Sequence, residues 1–182
     1  MLVYFTADLH FGHENIIKFC DRPFDSVEAM NKSLISNWNE TVNHNDDIYI
    51  LGDFTNEVRK AKQFLSVLNG KKYMIAGNHD SWLETPDDTC VFLEWVKEYA
   101  VINSNGFKWV LFHYPIAEWS GFYRGSIHLH GHVHNRQISS SWNPSIVRAF
   151  NVGVDVNDYK PVSIDELIRR AKKIHVQERD AK

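Results

Sequence analysis

"LVYFTADLHFGH", Leu2 to His13, changes character at its midpoint. Leu2 to Ala7 is a short apolar run with strong β propensity, and Asp8, His10 and His13 follow at once. The pattern recurs. "DIYIL" (Asp47 to Leu51) leads into Gly52-Asp53, and "KYMIA" (Lys72 to Ala76) leads into Gly77-Asn78-His79-Asp80. "FKWVLF" (Phe107 to Phe112) ends at His113. "SIHLHGHVHNR" (Ser126 to Arg136) places histidines at every second position, 128 to 134. Gly131 should break that strand, so His128 and His130 belong to its body and His132 and His134 to the turn beyond; His128 reads as structural. In α/β sheets ligand sites collect at the carboxyl ends of strands. Five strand ends here carry carboxylates, an amide and imidazoles to one rim.

The segments between these strands have helical periodicity. "DSVEAMNKSLISNWNETV" (Asp25 to Val42) spaces Val27, Met30, Leu34 and Trp38 on one face, with Asp25 and Glu28 as its expected capping box. "EVRKAKQFLSVLNG" (Glu57 to Gly70) predicts a helix stopped by Asn69-Gly70. Thr85-Pro86-Asp87-Asp88 predicts the start of another. "AVIN", a turn at Ser104-Asn105-Gly106 and "FKWVLF" predict a hairpin. "SIVRAFNVGVDV" (Ser145 to Val156) reads as a late strand. "SIDELIRRAKKI" reads as a closing helix over about 163–175, capped by Ser163 and Glu166, with Arg169, Arg170, Lys172 and Lys173 as a favourable helix end. This alternation predicts an α/β fold containing at least one mixed sheet, in a single domain over 1–182.

Composition narrows the function. With 43% apolar and 24% charged residues the chain is an ordinary globular protein. The net charge of −3 argues against an extended duplex-binding surface. No apolar run reaches the length of a membrane span, and the first residues lack the basic region and cleavage site of an export signal. Two cysteines, Cys20 and Cys90, with no C-x-x-C spacing, fit free thiols in the cytoplasm. Ten histidines hint at metal, and mixed carboxylate and imidazole donors suit Mn, Fe, Co, Ni or Zn over Mg or Ca. The candidate ligands are too many for one ion. Two ions need a bridge, and a carboxylate such as Asp53 can give one oxygen to each.

In order and strand context, "DLHFGH", "GD" at 52–53, "GNHD" at 77–80, the isolated His113 and "GHVH" at 131–134 resemble the five blocks of the calcineurin-like metallophosphoesterases. The N-terminal position of the first block and the closing "NVGVDVNDYKPVS" resemble a small single-domain bacterial or phage branch. The resemblance implies a four-layer α/β/β/α sandwich of two mixed β-sheets. It also implies two metal sites: Asp8, His10, bridging Asp53 and His134 in one; Asp53, Asn78, His113 and His132 in the other. His79 would face the scissile phosphate, with Asp80 orienting it.

Two divalent ions, manganese first among them and Fe, Zn, Ni or Co as alternatives, would leave the site cationic against Asp8 and Asp53. They would also turn a bound water into a hydroxide nucleophile. His79 is the expected proton donor to the leaving group. His13, Arg22 and Arg124 are candidate substrate contacts, guanidinium groups being suited to phosphate oxygens. Trp119, Phe122 and Tyr123 form a possible stacking surface. The reading favours a phosphodiesterase acting on a small phosphorylated substrate, nucleotide diesters included. Phosphomonoester or nucleotide pyrophosphate hydrolysis is the alternative, and a protein-binding scaffold and a nuclease acting on short single strands are the other classes. Long duplex nucleic acid and membranes are not expected partners.

Overall fold

A computed structural model describes residues 1–84, 91–136 and 148–180, with side chains to residue 174. Two sheets form the frame. The first has the order β4-β3-β2-β1-β9, built from β1 (Val3–Thr6), β2 (Asp47–Leu51), β3 (Lys71–Ile75), β4 (Leu93–Lys97) and β9 (Val162–Ser163). Its β1, β2, β3 and β4 run parallel to their neighbours, and β9 is antiparallel to β1. The second has the order β5-β6-β7-β8, from β5 (Tyr99–Ser104), β6 (Phe107–Phe112), β7 (Ile127–His130) and β8 (Ala149–Asn151). There β5 and β6 form the expected antiparallel hairpin, while β6, β7 and β8 are parallel. Both sheets are mixed, as expected for the α/β sandwich. Among the described residues no helix is long and apolar enough to cross a membrane.

Two cores hold the layers. One lies between the first sheet and the helices α2 (Val27–Thr41) and α3 (Val58–Leu65). Met30, Leu34 and Trp38, the periodic face of α2, are buried there against Ile48, Ile50 and Met74. The other lies between the sheets. Phe5, Leu51 and Ile75 meet Trp109, Leu111, Ile127 and Leu129 there, with Leu167 and Ala171 of α4 (Ile164–Asp180) closing it. An aromatic row, Phe5, Tyr49, Tyr73 and Trp95, crosses four strands in register, with centroids 5.3, 4.7 and 5.4 Å apart. Such pairs pin strand register, because a slip of one residue would turn every ring to the other face.

That row explains one correction. The capping signal at Thr85–Asp88 lies outside the described residues, but the helix it predicted does not run through Leu93–Lys97, which is β4. Trp95 completes the aromatic row only from an extended backbone, so tertiary packing overrides the local signal. The cap of α2 also moves by one residue. Ser26, not Asp25, sits at the extended N-cap position, and its hydroxyl accepts from Ala29 N at 3.2 Å. The turn α1 (Asn15–Phe19) follows His13 and is too short to show periodicity. At α4, Ser163 Oγ accepts from Glu166 N at 3.3 Å as expected, but the helix continues past its basic residues. Arg169 and Arg170 there bridge to Glu166 instead of marking an end. Cys20 is a free thiol, while Cys90 and the start of the expected late strand lie outside the described residues.

Trp38 joins the helical layer to the sheet. It is fully buried, and its indole N–H donates to the Asn69 carbonyl at 2.9 Å. Trp38→Ala should lower the stability by about 3–5 kcal/mol. Urea unfolding checks this, as a lower midpoint at an unchanged slope.

Candidate metal centre

The strand ends converge as the sequence implied. Asp8 and His10 follow β1, Asp53 follows β2, Asn78 and His79 follow β3, His113 follows β6, and His132 and His134 follow β7. The backbone of this rim is unusual. Asp8, His10, Asp53, His132 and His134 all have left-handed φ, between 51° and 70°. A non-glycine residue rarely adopts that region, and clusters of such residues mark functional sites. The turns after β1, β2 and β7 thereby bring these side chains to one rim. Main-chain hydrogen bonds from Asp8 N to Gly52 O, His10 N to Asp53 O and Gly131 N to His113 O (2.9–3.0 Å) hold the loops against one another.

Side chains fix the rest. Both Asp8 oxygens accept from His132 N, at 2.9 and 3.0 Å. Asp53 Oδ1 accepts from His79 N at 2.9 Å. That leaves Asp53 Oδ2 between two imidazoles, 3.5 Å from His10 Nε2 and 3.4 Å from His113 Nε2. Asn78 Oδ1 lies 3.1 Å from His113 Nε2 and 3.0 Å from His132 Nδ1. Three donor groups have their ligand atoms within 4.8 Å of one another among the described residues: Asp8-His10-His134, Asp53-His113-His132, and Cys20-His134-Asp155, whose Asp155 is already paired with Arg22.

Protonation suits a cation. His10 is buried and its Nε2 has no hydrogen-bond partner. Burial pushes its imidazole down to about 3, so it stays neutral and keeps a lone pair for a metal. Burial pushes the Asp8 carboxyl up to about 6, so a nearby positive charge would be needed to keep it ionised at lower pH. At Asp53 burial acts the same way, but the His113 and His10 imidazoles and the His79 N–H prevail and hold it at about 2. Burial opposes a charge on His134, whose Nδ1 lies 2.7 Å from Asp155 Oδ2; that hydrogen bond and the Cys20 and Asp8 contacts raise it to about 10. Without metal that ring is a cation, so an ion would have to displace the Nε2 proton, while the Asp155 contact at Nδ1 keeps the ring oriented. The donor set therefore fits divalent metal.

Glycines provide the room. A Cβ on Gly77 would lie 2.4 Å from Asp53 Oδ1, and one on Gly131 would lie 2.6 Å from both Ala7 Cβ and Asp8 Oδ2.

Some expected roles change. Asp80 does not orient the His79 ring. Its buried carboxylate accepts from Asp53 N (2.7 Å), Gly77 N (2.8 Å), Phe54 N (2.9 Å) and the Trp82 indole (3.1 Å), which ties the β2 and β3 loops together. Arg22 is not a phosphate clamp. It is buried behind the centre, paired through two nitrogens with Asp155 (2.8 and 2.9 Å) and donating to the carbonyls of Asp8 (2.7 Å) and Leu9 (3.0 Å). Arg124 lies just before β7, at the opposite end of its sheet, in a separate groove of about 740 Å³. Tyr123 is exposed beside it, and Trp119 is buried on His128 with a centroid distance of 5.1 Å, so neither covers the centre. His128 is structural, buried between the Val110 and Tyr114 carbonyls at 3.1 and 3.2 Å. His13 does reach the site. Its ring lies 6.0 Å from His79, and its Nδ1 is buried without a partner.

A cleft of about 400 Å³ opens over His10, His13, His79, His132 and His134. Two residues around the centre, one behind it and one lining the cleft, give no sign in the sequence pattern. Asp155, from "NVGVDV", gave no local signal because its partners Arg22 and His134 are distant in sequence. Arg136, two residues past "GHVH", lines the cleft.

The model of a family described as calcineurin-like phosphoesterase matches residues 1–157. An uncharacterized protein of Methanocaldococcus jannaschii is 39% identical over 176 residues, covering 94% of this chain and 92% of its own. The Gene 66 protein of Mycobacterium phage L5 is 29% identical over 203 residues, covering 96% of each. Among solved structures, a protein of unknown function from Aquifex aeolicus has a TM-score of 0.73 at 27% identity, over 92% of this chain and 98% of that one.

Gly131→Ala should press on Asp8 from the turn that holds it. Divalent-ion affinity is expected to fall roughly 10–100-fold, as when groups supporting a ligand are lost. Titration calorimetry with Mn²⁺ reads this while circular dichroism confirms the fold, and unchanged affinity would contradict the placement of Asp8.

Proposed function

The chain belongs to the calcineurin-like phosphoesterase family, and from that premise we propose that it is a phosphodiesterase dependent on two divalent ions, with manganese the first candidate. The observation that carries this reading is Asp53 Oδ2, which faces His10 of the first donor group and His113 of the second at nearly equal distances of 3.5 and 3.4 Å. Asp8, His10, Asp53 and His134 would hold one ion, and Asp53, Asn78, His113 and His132 the other. Bound ions would supply positive charge to a phosphate and acidify water.

The chain's own residues divide the remaining work. Asp53 presents Oδ2 because Oδ1 is held by the His79 N–H. The same bond sets the start of the exposed His79 side chain beside the bridging carboxylate, with its ring 5.1 Å from that of His10. His79 is the proton donor to the leaving alkoxide. His13, with its unpartnered nitrogen, contacts the phosphate or the group attached to it. Arg136 is the one Lys or Arg among the described residues lining the cleft. Its guanidinium can pair with a phosphate oxygen. The size of the cleft suits a small substrate.

The test strips the protein of metal, reloads it with Mn²⁺ and compares a chromogenic phosphodiester with the matching monoester. Diester turnover should require metal, and His79→Ala should lower kcat about 10²- to 10⁴-fold. Asp53→Ala should abolish turnover and the binding of both ions. Turnover of the monoester alone would overturn the diester reading, and two ions retained by Asp53→Ala would overturn the bridge.

A further inference from the structure

The loop from His10 to His13 is held from two sides. Its first half is tied to the segment after β2. There His10 N donates to the Asp53 carbonyl (2.9 Å), Phe11 N donates to the Phe54 carbonyl (2.8 Å), and the Phe11 carbonyl accepts from the Thr55 hydroxyl (2.9 Å). Its second half is tied to two helices that supply no metal ligand. Gly12 N donates to Asn31 Oδ1 of α2 at 3.0 Å, and the Gly12 carbonyl accepts from Lys60 Nζ of α3 at 3.1 Å. Glu57 aims that lysine, its Oε1 accepting from the same ammonium at 2.7 Å.

Gly12 makes this clamp possible. Its φ is 75°, and a Cβ there would lie 2.4 Å from Lys60 Cδ and 2.8 Å from Lys60 Nζ, so the lysine stem crosses the loop only over a bare backbone. Gly12 is half-buried, where water is enough to satisfy its N–H and carbonyl, yet side chains from two helices take both. The residue placed by this arrangement is His13. Its N–H donates back to the His10 carbonyl at 3.0 Å, and its side chain lines the cleft beside His79. Its buried Nδ1 has no partner among the described residues. A buried polar nitrogen is costly until something pairs with it, and a phosphate group entering the neighbouring centre brings oxygens to that place. One such hydrogen bond orients a substrate only if its own position is fixed.

We infer that Asn31 and Lys60 are positioning residues: their grip on the Gly12 backbone sets His13 against the phosphate group of the substrate, separately from the bonds that set His10 for metal. The inference rests on the phosphoesterase reading above. One loop thus serves two ligands, its first half fixed by the β2 segment for the ion and its second by α2 and α3 for the substrate. Neither Asn31 nor Lys60 touches the reacting atoms; both act through His13.

The test is a double-mutant cycle on the Mn²⁺-loaded full chain, with a chromogenic phosphodiester for turnover and titration calorimetry for metal. Lys60→Met keeps the stem and removes the ammonium; Asn31→Leu keeps the volume and removes the acceptor. Each should lower kcat/KM about tenfold, chiefly through KM, as for the loss of one hydrogen bond that orients a bound group. Lys60→Arg and Asn31→Asp, which keep the donor and the acceptor, should restore most of it. In a His13→Ala background neither loss should have a further effect, because both act through that ring. Mn²⁺ affinity should match wild type throughout. An unmoved kcat/KM, an effect that persists without His13, or a parallel fall in Mn²⁺ affinity would overturn the positioning role and leave the phosphoesterase reading standing. No turnover of the diester by wild type would overturn both.

Discussion

Two acidic side chains, Asp8 and Asp53, are buried at the ends of neighbouring parallel strands, and the charged or chargeable groups facing them are largely imidazoles. Buried carboxylates are costly unless hydrogen-bonded and matched by positive charge. Main-chain N–H groups of His132 and His79 meet part of that demand. A divalent ion beside each carboxylate would meet the rest. The surrounding structure follows from this constraint: left-handed turns aim the ligands inward, and glycines give the carboxylates space. The Asp80 carboxylate gathers the N–H groups of two loops, and Arg22 and Asp155 stand behind as a buried ion pair.

That ion pair has a functional consequence. Arg22 grips the carbonyls of Asp8 and Leu9 while Asp155 takes the His134 imidazole, so one pair fixes both the first and the last ligand segments. The segments are distant in sequence and lie on different sheets. A bridge from Ala7 to Gly153 binds the sheets at the same point. The centre is therefore a joint between two layers, and its geometry reports how those layers pack.

Most of the candidate centre was legible because its proposed ligands follow apolar β runs directly, where a change from apolar to polar residues marks a strand end. Histidines at alternate positions became interpretable once Gly131 divided buried His128 and His130 from the turn residues His132 and His134. What was not legible depends on partners remote in the chain. Arg22 looked like a phosphate ligand because a guanidinium before a proline gives no sign of being buried against Asp155. Asp80 looked like a partner of the adjacent His79, yet its acceptors are mainly the N–H groups of another loop. Local capping chemistry at Thr85–Asp88 pointed to a helix, whereas the aromatic row ending at Trp95 draws the chain into a strand. Arg124 was misplaced for a simpler reason: its position before β7 sends it to the far end of the sheet.

The central claim is that Asp53 joins two ions in one site. Electron paramagnetic resonance of the chain loaded with increasing Mn²⁺ tests it directly. The account predicts a signal from exchange-coupled ions at full loading, which requires two metals sharing a bridge. Only the hyperfine pattern of isolated Mn²⁺ at full loading, however many ions bind, would contradict it.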